Sequence, residues 1–381
     1  MKKKWVTIFP RCENIHITKD VGVIPGLISE QYKDYDCFIV SWKNGQYPDE
    51  KKFFPKLKHK FINKYFFTHW NRYFEAISEL LSVALYIFKE GKAIDVVHFF
   101  HLRWYTSILI VLFKKINPNG KVYLKLDIAE SILELQVSSK ILPIIPLRYE
   151  KVLSKTDFIS IETKMLSEEL TDLWKKKVLY IPNGYFPYNH AKIESSQKSK
   201  SIIHVSRMGT YQKNTEFLLK GIVKNQKVLF EKNWKILLVG EMSDSIKVKL
   251  SNLYNEHPLL KDIIEVIGEV KDKNKLWKLY SESRIFILTS RYESFGIVLV
   301  EALSAGNQIL TSNIISANDI VADKRNGMIY EGEDISDFSI KLIQLINNSN
   351  WEEDSEYVQS FAQKNFHYPI IIKKLMREID E

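Results

Sequence analysis

The chain has 381 residues, more than the roughly 250 at which a single hydrophobic core stops growing, so its length predicts two domains. Hydrophobic residues make up 45% of it and charged residues 27%, a composition that excludes disordered and collagen-like proteins. The formal net charge of +9 favours an anionic partner, a class that includes nucleic acid, a membrane surface and a phosphorylated substrate.

The chain has two cysteines, Cys12 and Cys37, too few for a disulfide framework or for a zinc site with paired thiolates. This use of cysteine is typical of a reduced, cytoplasmic protein. The longest uninterrupted apolar run of the first half, Ile108–Phe113, is much shorter than the roughly 18 residues that span a bilayer. We therefore expect a cytoplasmic protein without a membrane span, which leaves peripheral contact with the inner face of a membrane open.

The first half of the chain carries the whole net charge. Residues 1–187 contain 29 basic and 20 acidic residues, whereas residues 188–381 contain 26 of each. Seven basic residues follow one another without an intervening acid, and we call them the basic segment: Lys51, Lys52, Lys56, Lys58, Lys60, Lys64 and Arg72. Aromatic residues between them suit the interface of an anionic membrane. A solvated surface whose aromatics face the core fits equally well, and nucleic acid is not expected because no motif for it is present.

Short apolar runs alternate with amphipathic stretches, the pattern of strand–helix repeats around a parallel sheet. In the first half, strands are predicted at Trp5–Phe9, Asp36–Ser41, Ile94–His98, Lys121–Leu126, Asp157–Ile161 and Val178–Ile181, with helices at Asn71–Lys89 and Trp104–Lys115. The polar stretch Tyr188–Lys200 is predicted to be a linker. Strands resume at Ser201–Val205, Lys235–Val239, Ile263–Ile267, Arg284–Leu288, Gln308–Thr311 and Met328–Tyr330. The sequence therefore predicts an α/β protein of two doubly wound, Rossmann-like parallel-sheet domains, 1–187 and 188–365.

Ligands of such sheets bind at the carboxyl ends of the strands, and the segment 289–306 follows a predicted strand there. A polar turn leads into a helix that is predicted to open near Phe295, and its free amides suit a phosphate. Gly296 allows a ligand to approach the backbone closely. Glu293 and Glu301 would accept hydrogen bonds from hydroxyl groups on either side, as a sugar nucleotide requires. The alternative is a helix-terminal charge at Glu293 and a surface acid at Glu301.

Another strand end carries two cations. The turn after Ser201–Val205 contains Arg207 and Lys213, a planar fork and a point charge that suit a diphosphate. Cations near strand ends are common, so this turn alone indicates little. The segment 181–184 (IPNG) is typical of a simple turn.

Taken in this order and spacing, the segments resemble the group 1 glycosyltransferases, family four of the sequence classification. The resemblance is specific from Ser201 to about Asn347. It includes SRMGTYQK (206–213), KILLVG (235–240), IEVIGEV (264–270), ESFGIVLVE (293–301) and RNGMIY (325–330). The first half matches more loosely, through IDVVHFFH (94–101), TDFISIET (156–163) and IPNG.

The resemblance implies two domains facing a cleft, the GT-B architecture, with the acceptor on the first domain and a nucleotide-sugar donor on the second. It also implies a closing helix, 366–381, that returns to the first domain. Donor binding would fall to Arg207, Lys213, Val270, Phe295, Gly296, Ile297 and Glu301. Glu293 would contact the donor sugar as a catalytic residue. No metal or other cofactor is expected, and the family generally retains the anomeric configuration.

The chain departs from the family at several positions. Ser206 replaces a usual glycine, Asn214 follows Lys213 in place of a glycine, and Ser316–Asp319 replace a glycine pair and a glutamate. Asp127 stands where the first domain often has a histidine, so we expect it under the reacting sugar carbon, with helix capping as the alternative. In the glycine-poor loop expected at 19–26, Gly22 is the candidate for close approach to the donor phosphate. His98 and His101 are either near the cleft or structural.

These features predict a retaining glycosyltransferase, with a UDP-sugar favoured as donor and a glycan or lipid-linked molecule as acceptor, in bacterial surface polysaccharide or glycoconjugate synthesis. A sugar-nucleotide 2-epimerase of similar fold and a non-catalytic binding subunit are the alternatives. The basic segment is predicted to meet an anionic membrane or a lipid-phosphate acceptor.

Overall fold

A computed structural model describes residues 2–65, 72–127, 149–186 and 198–380 of the chain. It divides into two compact units, one of Met1–Phe186 with Tyr368–Glu381 and one of Pro187–His367. Most of the predicted linker, Tyr188–Lys200, lies outside the described residues.

The described part of the first unit contains a seven-stranded sheet in the order β3-β2-β1-β4-β5-β6-β7, and all of its strand pairs are parallel. The central strands are buried apolar runs, which is typical of a sheet covered on both faces. The strands are β1 Lys3–Ile8, β2 Tyr35–Ser41, β3 Lys58–Phe61, β4 Val96–Phe100, β5 Lys121–Lys125, β6 Phe158–Ile161 and β7 Leu179–Tyr180.

Helices connect these strands and pack around a core that includes Trp5 and Tyr123, both with no exposed surface. They are α1 Asn14–Ile17, α2 Asp20–Gln31, α3 Pro48–Phe53, α4 Arg72–Glu90, α5 Trp104–Ile116, α6 Tyr149–Lys155 and α7 Lys164–Trp174. A short 3-10 turn, Gly91–Ala93, leads into β4.

The closing helix of the chain belongs to the first unit. This helix, Tyr368–Asp380, buries Ile371, Ile372 and Leu375 in the same core as α2. Its end is held by the hydroxyl of Tyr35, which donates to Asp380 Oδ1 at 2.7 Å. The helix therefore completes a unit whose other strands and helices lie more than 180 residues earlier.

The structure of the first unit differs from the sequence predictions at three points. The loop expected at 19–26 is most of helix α2, which contains Pro25 in its interior. The short strand β3 was not predicted, because its sequence KHKF has no apolar run and its register is set by pairing with β2. The strand predicted at Ile94–His98 begins two residues later, at Val96.

The second unit contains a six-stranded sheet in the order β10-β9-β8-β11-β12-β13, again with parallel pairs throughout its described part. The strands are β8 Ser201–Val205, β9 Lys235–Val239, β10 Ile264–Gly268, β11 Ile285–Leu288, β12 Gln308–Ser312 and β13 Gly327–Tyr330. Two parallel-sheet α/β domains, as predicted, are thus confirmed.

The helices of the second unit cover its sheet and bury residues such as Leu218, Leu299 and Phe338. They are α8 Thr215–Glu231, α9 Asp244–Glu256, α10 Leu260–Ile263, α11 Lys273–Glu282, α12 Ile297–Ser304, α13 Ala317–Ile320, α14 Ile335–Ile346 and α15 Trp351–Phe366, and Tyr368–Asp380 becomes α16 in this numbering. None of the helices in the described ranges is both long enough and apolar enough to cross a membrane.

Candidate functional site

In the second unit, the turns after β8 and β11 are joined by hydrogen bonds. The amide of Arg291 donates to Gln212 O at 2.8 Å, and the hydroxyl of Thr289 donates to Lys213 O at 3.0 Å. The Gln212 side-chain amide donates to Tyr292 O at 3.1 Å. The two segments that the sequence offered separately therefore form one surface at the carboxyl edge of the sheet.

The side chain of Glu293 is held by three other side chains of this surface. It is 8% exposed, and it accepts hydrogen bonds from the hydroxyl of Ser290 at 2.7 Å and from Gln212 Nε2 at 3.3 Å. The ammonium of Lys213 also donates to Glu293 Oε1, forming an ion pair that is largely buried. The structure thus brings Lys213 and Glu293 into direct contact, which neither motif predicted.

Helix α12 begins beside Glu293. Its N-cap residue, Gly296, has φ +82°, a left-handed conformation that favours glycine. Phe295 is fully buried and packs its ring on Phe366 at 6.0 Å, while Ser316 donates to Phe295 O at 2.6 Å. These contacts fix the first turn, whose amides at Ile297 and the next residue have no partner within the helix. The helix begins at Ile297, two residues after the predicted point. Ser316, one of the residues at which the chain departs from the family, supports this start through its hydrogen bond to Phe295 O.

The other predicted donor residues lie along the same edge. Arg207 follows β8, is exposed, and has no ion pair within the described ranges. Glu301 lies on α12, where Tyr280 donates to it at 3.4 Å and Lys273 approaches at 3.6 Å. Val270 follows β10 and is half-buried. The structure gives no contact between these three and the Lys213–Glu293 pair, so a ligand would have to join them.

His204 is a buried group that sequence reasoning missed. Its Nδ1 faces the carbonyl of Ile287 at 2.9 Å and its Nε2 faces the Ser206 hydroxyl at 2.7 Å. Since a carbonyl only accepts, Nδ1 carries the proton and Nε2 accepts from Ser206. Burial lowers the pKa of His204 to about 4, so the ring is neutral at pH 7. Ser206, which replaces the family's glycine, therefore donates a hydrogen bond to His204. The apolar sequence of the strand did not indicate this contact.

In the first unit, Asp127 lies two residues beyond the end of β5 and is exposed. Gly22 lies inside helix α2, where a Cβ would come within 2.3 Å of Ile17 O. Close packing against the chain's own backbone is thus one reason for glycine there. His98 is fully buried in β4, and burial lowers its pKa well below the usual value. Burial also lowers the pKa of His101, whose backbone has φ +57°.

Much of the basic segment is ion-paired. Four of its lysines face carboxylates from elsewhere in the unit, in the pairs Lys56–Glu30, Lys58–Asp36, Lys60–Glu90 and Lys64–Glu75, at 3.1, 2.7, 2.8 and 4.0 Å. Lys51 and Lys52, on α3, have no carboxylate within ion-pair distance in the described ranges. Arg72 is the first residue of α4. The basic segment contains no acid in the sequence, but the fold brings carboxylates to four of its lysines and offsets part of its charge.

Metal ligation has no candidate among the residues that the structure describes, because no three His, Cys, Asp or Glu side chains there are grouped to hold an ion. The turns after β8 and β11 and the start of α12 instead present a carboxylate, cations and helix amides. These groups bind hydroxyls and phosphates.

A protein-family model matches the part of the chain that carries these groups. Residues 186–365 match the model of the glycosyl transferases group 1. The second unit is a group 1 glycosyl transferase domain. The resemblance stated from the sequence is thereby confirmed, and it includes the Lys213 turn, Glu293 and the start of α12.

Proteins similar to this chain include an uncharacterized 41.2 kDa protein in the cps region of Klebsiella pneumoniae, 24% identical over 80% of this chain and 83% of that protein. The amylovoran biosynthesis glycosyltransferase AmsD of Erwinia amylovora is 26% identical over 54% of this chain and 57% of that protein. The O-antigen chain mannosyltransferase B of Escherichia coli is 32% identical over 24% and 23%. The chain therefore spans less than two thirds of the length of the latter two.

Solved structures extend the likeness to the whole chain. Sucrose-phosphate synthase from Thermosynechococcus elongatus has a TM-score of 0.69 at 15% identity and covers 100% of this chain and 98% of its own. Anabaena HepE, solved with UDP and glucose, has a TM-score of 0.68 at 12% identity, with 100% of both chains covered. At such identities the likeness concerns the fold, and it confirms that the chain has the GT-B fold.

Proposed function

We propose that this glycosyltransferase moves a sugar, with retention of configuration, from a nucleotide donor to a hydroxyl of a glycan or lipid-linked acceptor. The observation that carries the proposal is the contact of Lys213 with Glu293 beside the start of α12. A cation, a carboxylate and free helix amides then face one small region. A sugar diphosphate presents the hydroxyls and the anionic oxygens that these groups bind.

The reaction needs charge stabilisation most at the leaving diphosphate. As the bond between sugar and phosphate breaks, negative charge grows on the phosphate oxygens. Lys213, the exposed Arg207 and the amides at Ile297 would meet that charge, a task that needs no metal in this proposal. Glu293 would turn from the lysine to the sugar hydroxyls, and Glu301 to the ribose. Asp127, on the first unit, would stabilise the reacting sugar carbon or orient the acceptor.

The setting we propose is the synthesis of a bacterial surface polysaccharide or glycoconjugate. The names of the relatives from the Klebsiella cps region, amylovoran biosynthesis and O-antigen chains support it. UDP is the favoured nucleotide because HepE was solved with UDP and glucose and a pneumococcal O-GlcNAc transferase with UDP and GlcNAc. We further propose that the enzyme works in the cytoplasm at the inner face of the membrane, where Lys51 and Lys52 would meet anionic lipid.

The proposal is tested by following a panel of nucleotide sugars by NMR with purified protein, first alone and then with glycan and polyprenyl-phosphate-sugar acceptors. We expect cleavage or transfer of at least one donor, a product with the donor's anomeric configuration, and loss of turnover in Glu293→Ala. Glu265→Ala, an exposed acid on β10, is the matched control and should retain turnover.

Three outcomes would contradict the proposal. The absence of turnover with every donor and acceptor would count against catalysis, and full activity of Glu293→Ala would count against the assigned site. Interconversion of one nucleotide sugar into its 2-epimer without acceptor would replace transfer by epimerisation.

A further inference from the structure

The carboxyl edge of the first unit holds a group of charges of which the proposed function uses only Asp127. It consists of Asp20, Lys125, Asp127 and Glu162, which we call the carboxyl cluster. Lys125 ends β5, Glu162 directly follows β6, and Asp20 begins α2. Parallel strands place these ends at the edge where ligands of such sheets bind. The other three members of the cluster therefore lie near Asp127, the residue assigned to the acceptor side of the reaction.

Lys125 is the cation of the carboxyl cluster, and its side chain is 1% exposed. Its Nζ lies 3.5 Å from Asp20 Oδ2 and 3.9 Å from Glu162 Oε2, with no hydrogen bond within the described ranges. Burial alone lowers a lysine pKa, but the surrounding carboxylates outweigh it and raise the pKa of Lys125. The ammonium stays protonated and contributes one positive charge.

Glu162 is fully buried and lacks a donor. Neither of its carboxyl oxygens has a hydrogen-bond donor among the residues that the structure describes. The side chain within hydrogen-bonding reach is another carboxyl group, that of Asp127. Two carboxyl groups in contact disfavour two negative charges, so a proton on one of them is favoured.

Burial decides which carboxyl group takes the proton. One ammonium faces three carboxyl groups, and it lies nearer to that of Asp20 than to that of Glu162. Asp127 is exposed and can be solvated, whereas Glu162 has no water contact to offset a charge. Burial first, and then the Asp127 carboxylate, raise the pKa of Glu162 well above its usual range, although Lys125 opposes them.

The charges that act on Glu162 are those of Lys125, Asp127 and Asp20, whereas the charge of Arg103 acts on the neighbouring His101. Other titratable groups near the cluster include His98, His101 and Tyr123. Burial lowers the pKa of both histidines and raises that of Tyr123 to about 12, so all three are neutral at pH 7. The proton on Glu162 is thus determined by the four members of the cluster.

We propose that Glu162 is neutral in the folded protein and shares its proton with Asp127, acting as a positioning residue that keeps the Asp127 carboxylate charged and oriented. Lys125 fixes this distribution by neutralising Asp20. The catalytic use of Asp127 rests on the proposed function, whereas the protonation of Glu162 can be measured without any substrate.

Infrared spectroscopy tests the protonation directly, since a neutral carboxyl group has a C=O stretching band that a carboxylate lacks. At pH 7, the spectrum of the wild type minus that of Glu162→Gln should show the loss of one such band. In Asp127→Asn the band should move to higher frequency, because the charged acceptor is gone. The matched control is Glu168→Gln on α7, since the Glu168 side chain is 67% exposed. This variant should change neither the presence nor the frequency of the band. A wild-type spectrum without the band, or a band that Asp127→Asn leaves in place, overturns the proposal.

The positioning role is tested by the pH dependence of kcat/KM with the nucleotide sugar that the turnover panel identifies. Glu162→Gln keeps a neutral donor and should retain kcat/KM within about twofold. Lys125→Met removes the cation and should move the acid limb of the profile up by about one pH unit, without changing the affinity for UDP. Lys114→Met, which breaks a pair with Asp157 at 2.8 Å, is the matched control and should leave the profile in place.

The outcomes separate the two proposals. An unchanged profile in folded Lys125→Met, or a loss of more than about tenfold in folded Glu162→Gln, overturns the positioning role. If Lys125→Met fails to fold, the Glu162→Gln arm and the infrared bands decide. Absence of turnover in the wild type contradicts transfer, and the infrared result then still settles the state of Glu162.

Discussion

The ammonium of Lys213 and the carboxylate of Glu293 form an ion pair that holds both side chains in place. Each is thereby kept in place while largely removed from water. A sugar diphosphate offers the lysine a phosphate and the glutamate a hydroxyl, so binding exchanges one ion pair for two contacts. Removing Glu293 alone leaves Lys213 free for phosphate, so we expect its loss to affect catalysis more than nucleotide affinity.

The motif pattern alone was enough to select Arg207, Lys213, Glu293 and Glu301, because cations and acids after strand ends are visible in a sequence. It did not reveal the contact between the two turns, which depends on Gln212 and Ser290. These are ordinary polar residues whose partners lie about 80 positions away or depend on a turn geometry. Such long-range pairing is fixed by the fold and has no local signature.

His204 allows a prediction about pH. Its folded-state pKa is depressed to about 4 from a usual value of 6.5. The unfolded chain therefore binds the proton first as the pH falls, so the contribution to stability is complete above pH 6.5 and is lost progressively down to about pH 4. Between pH 7 and about pH 5, the free energy of unfolding should fall by about 2 kcal/mol through this group.

The check is denaturant unfolding of wild type and His204→Asn at both pH values. The variant keeps a side-chain donor for Ile287 O but has no ring to titrate, so its loss of stability on acidification should be smaller. Equal losses in the two proteins would show that His204 does not carry the effect.

At the scale of elements, the strands of the second unit could be predicted to within about a residue because each is a short apolar run between polar turns. Two elements of the first unit could not. Strand β3 reads as a polar loop, and it becomes a strand only by pairing with β2. Helix α2 contains two glycines and Pro25, which favour a loop, yet nine of its twelve residues are buried, so packing outweighs local preference.

Gly22→Ala tests why helix α2 contains a glycine. A methyl group there would meet the backbone of Ile17, so overpacking should lower the free energy of unfolding by about 1–3 kcal/mol. Thermal unfolding measures it. Gln31→Ala, exposed at the end of the same helix, is the matched control and should change stability by less than about 0.5 kcal/mol.

The same variant separates packing from donor binding. If packing is the reason, Gly22→Ala should bind UDP as the wild type does at a temperature where both are folded. Normal stability with lost UDP affinity would instead favour the phosphate role predicted from the sequence.

For the whole molecule, the charge of +9 is carried by residues 1–187 and is partly offset by the fold. Ion pairs hold Lys56 and Lys58, whereas Lys51 and Lys52 remain without a carboxylate in the described part of the chain. Since paired cations contribute less to a distant anionic surface, membrane attraction should depend more on the α3 pair than on the number of lysines in the basic segment.

Liposome flotation tests this ranking. With vesicles containing anionic phospholipid at low salt, Lys51→Gln with Lys52→Gln should weaken binding more than Lys56→Gln with Lys58→Gln, the matched control of equal charge change. Each lysine near such a surface contributes about 1 kcal/mol, so the first pair should weaken binding roughly tenfold or more. Equal effects of the two pairs, or no binding by the wild type, would contradict a membrane role for α3.

The proposed transfer requires a nucleoside diphosphate to bind at the carboxyl edge of the second unit. Calorimetric titration with UDP measures this without knowledge of the sugar or the acceptor. Wild type should bind one UDP, and both Arg207→Ala and Lys213→Met should weaken binding by about tenfold or more through loss of a phosphate contact. Lys247→Met, an exposed lysine of α9, should bind as the wild type does. Failure of UDP and of the other nucleoside diphosphates to bind, or equal affinity in all four proteins, would contradict a donor site at this edge.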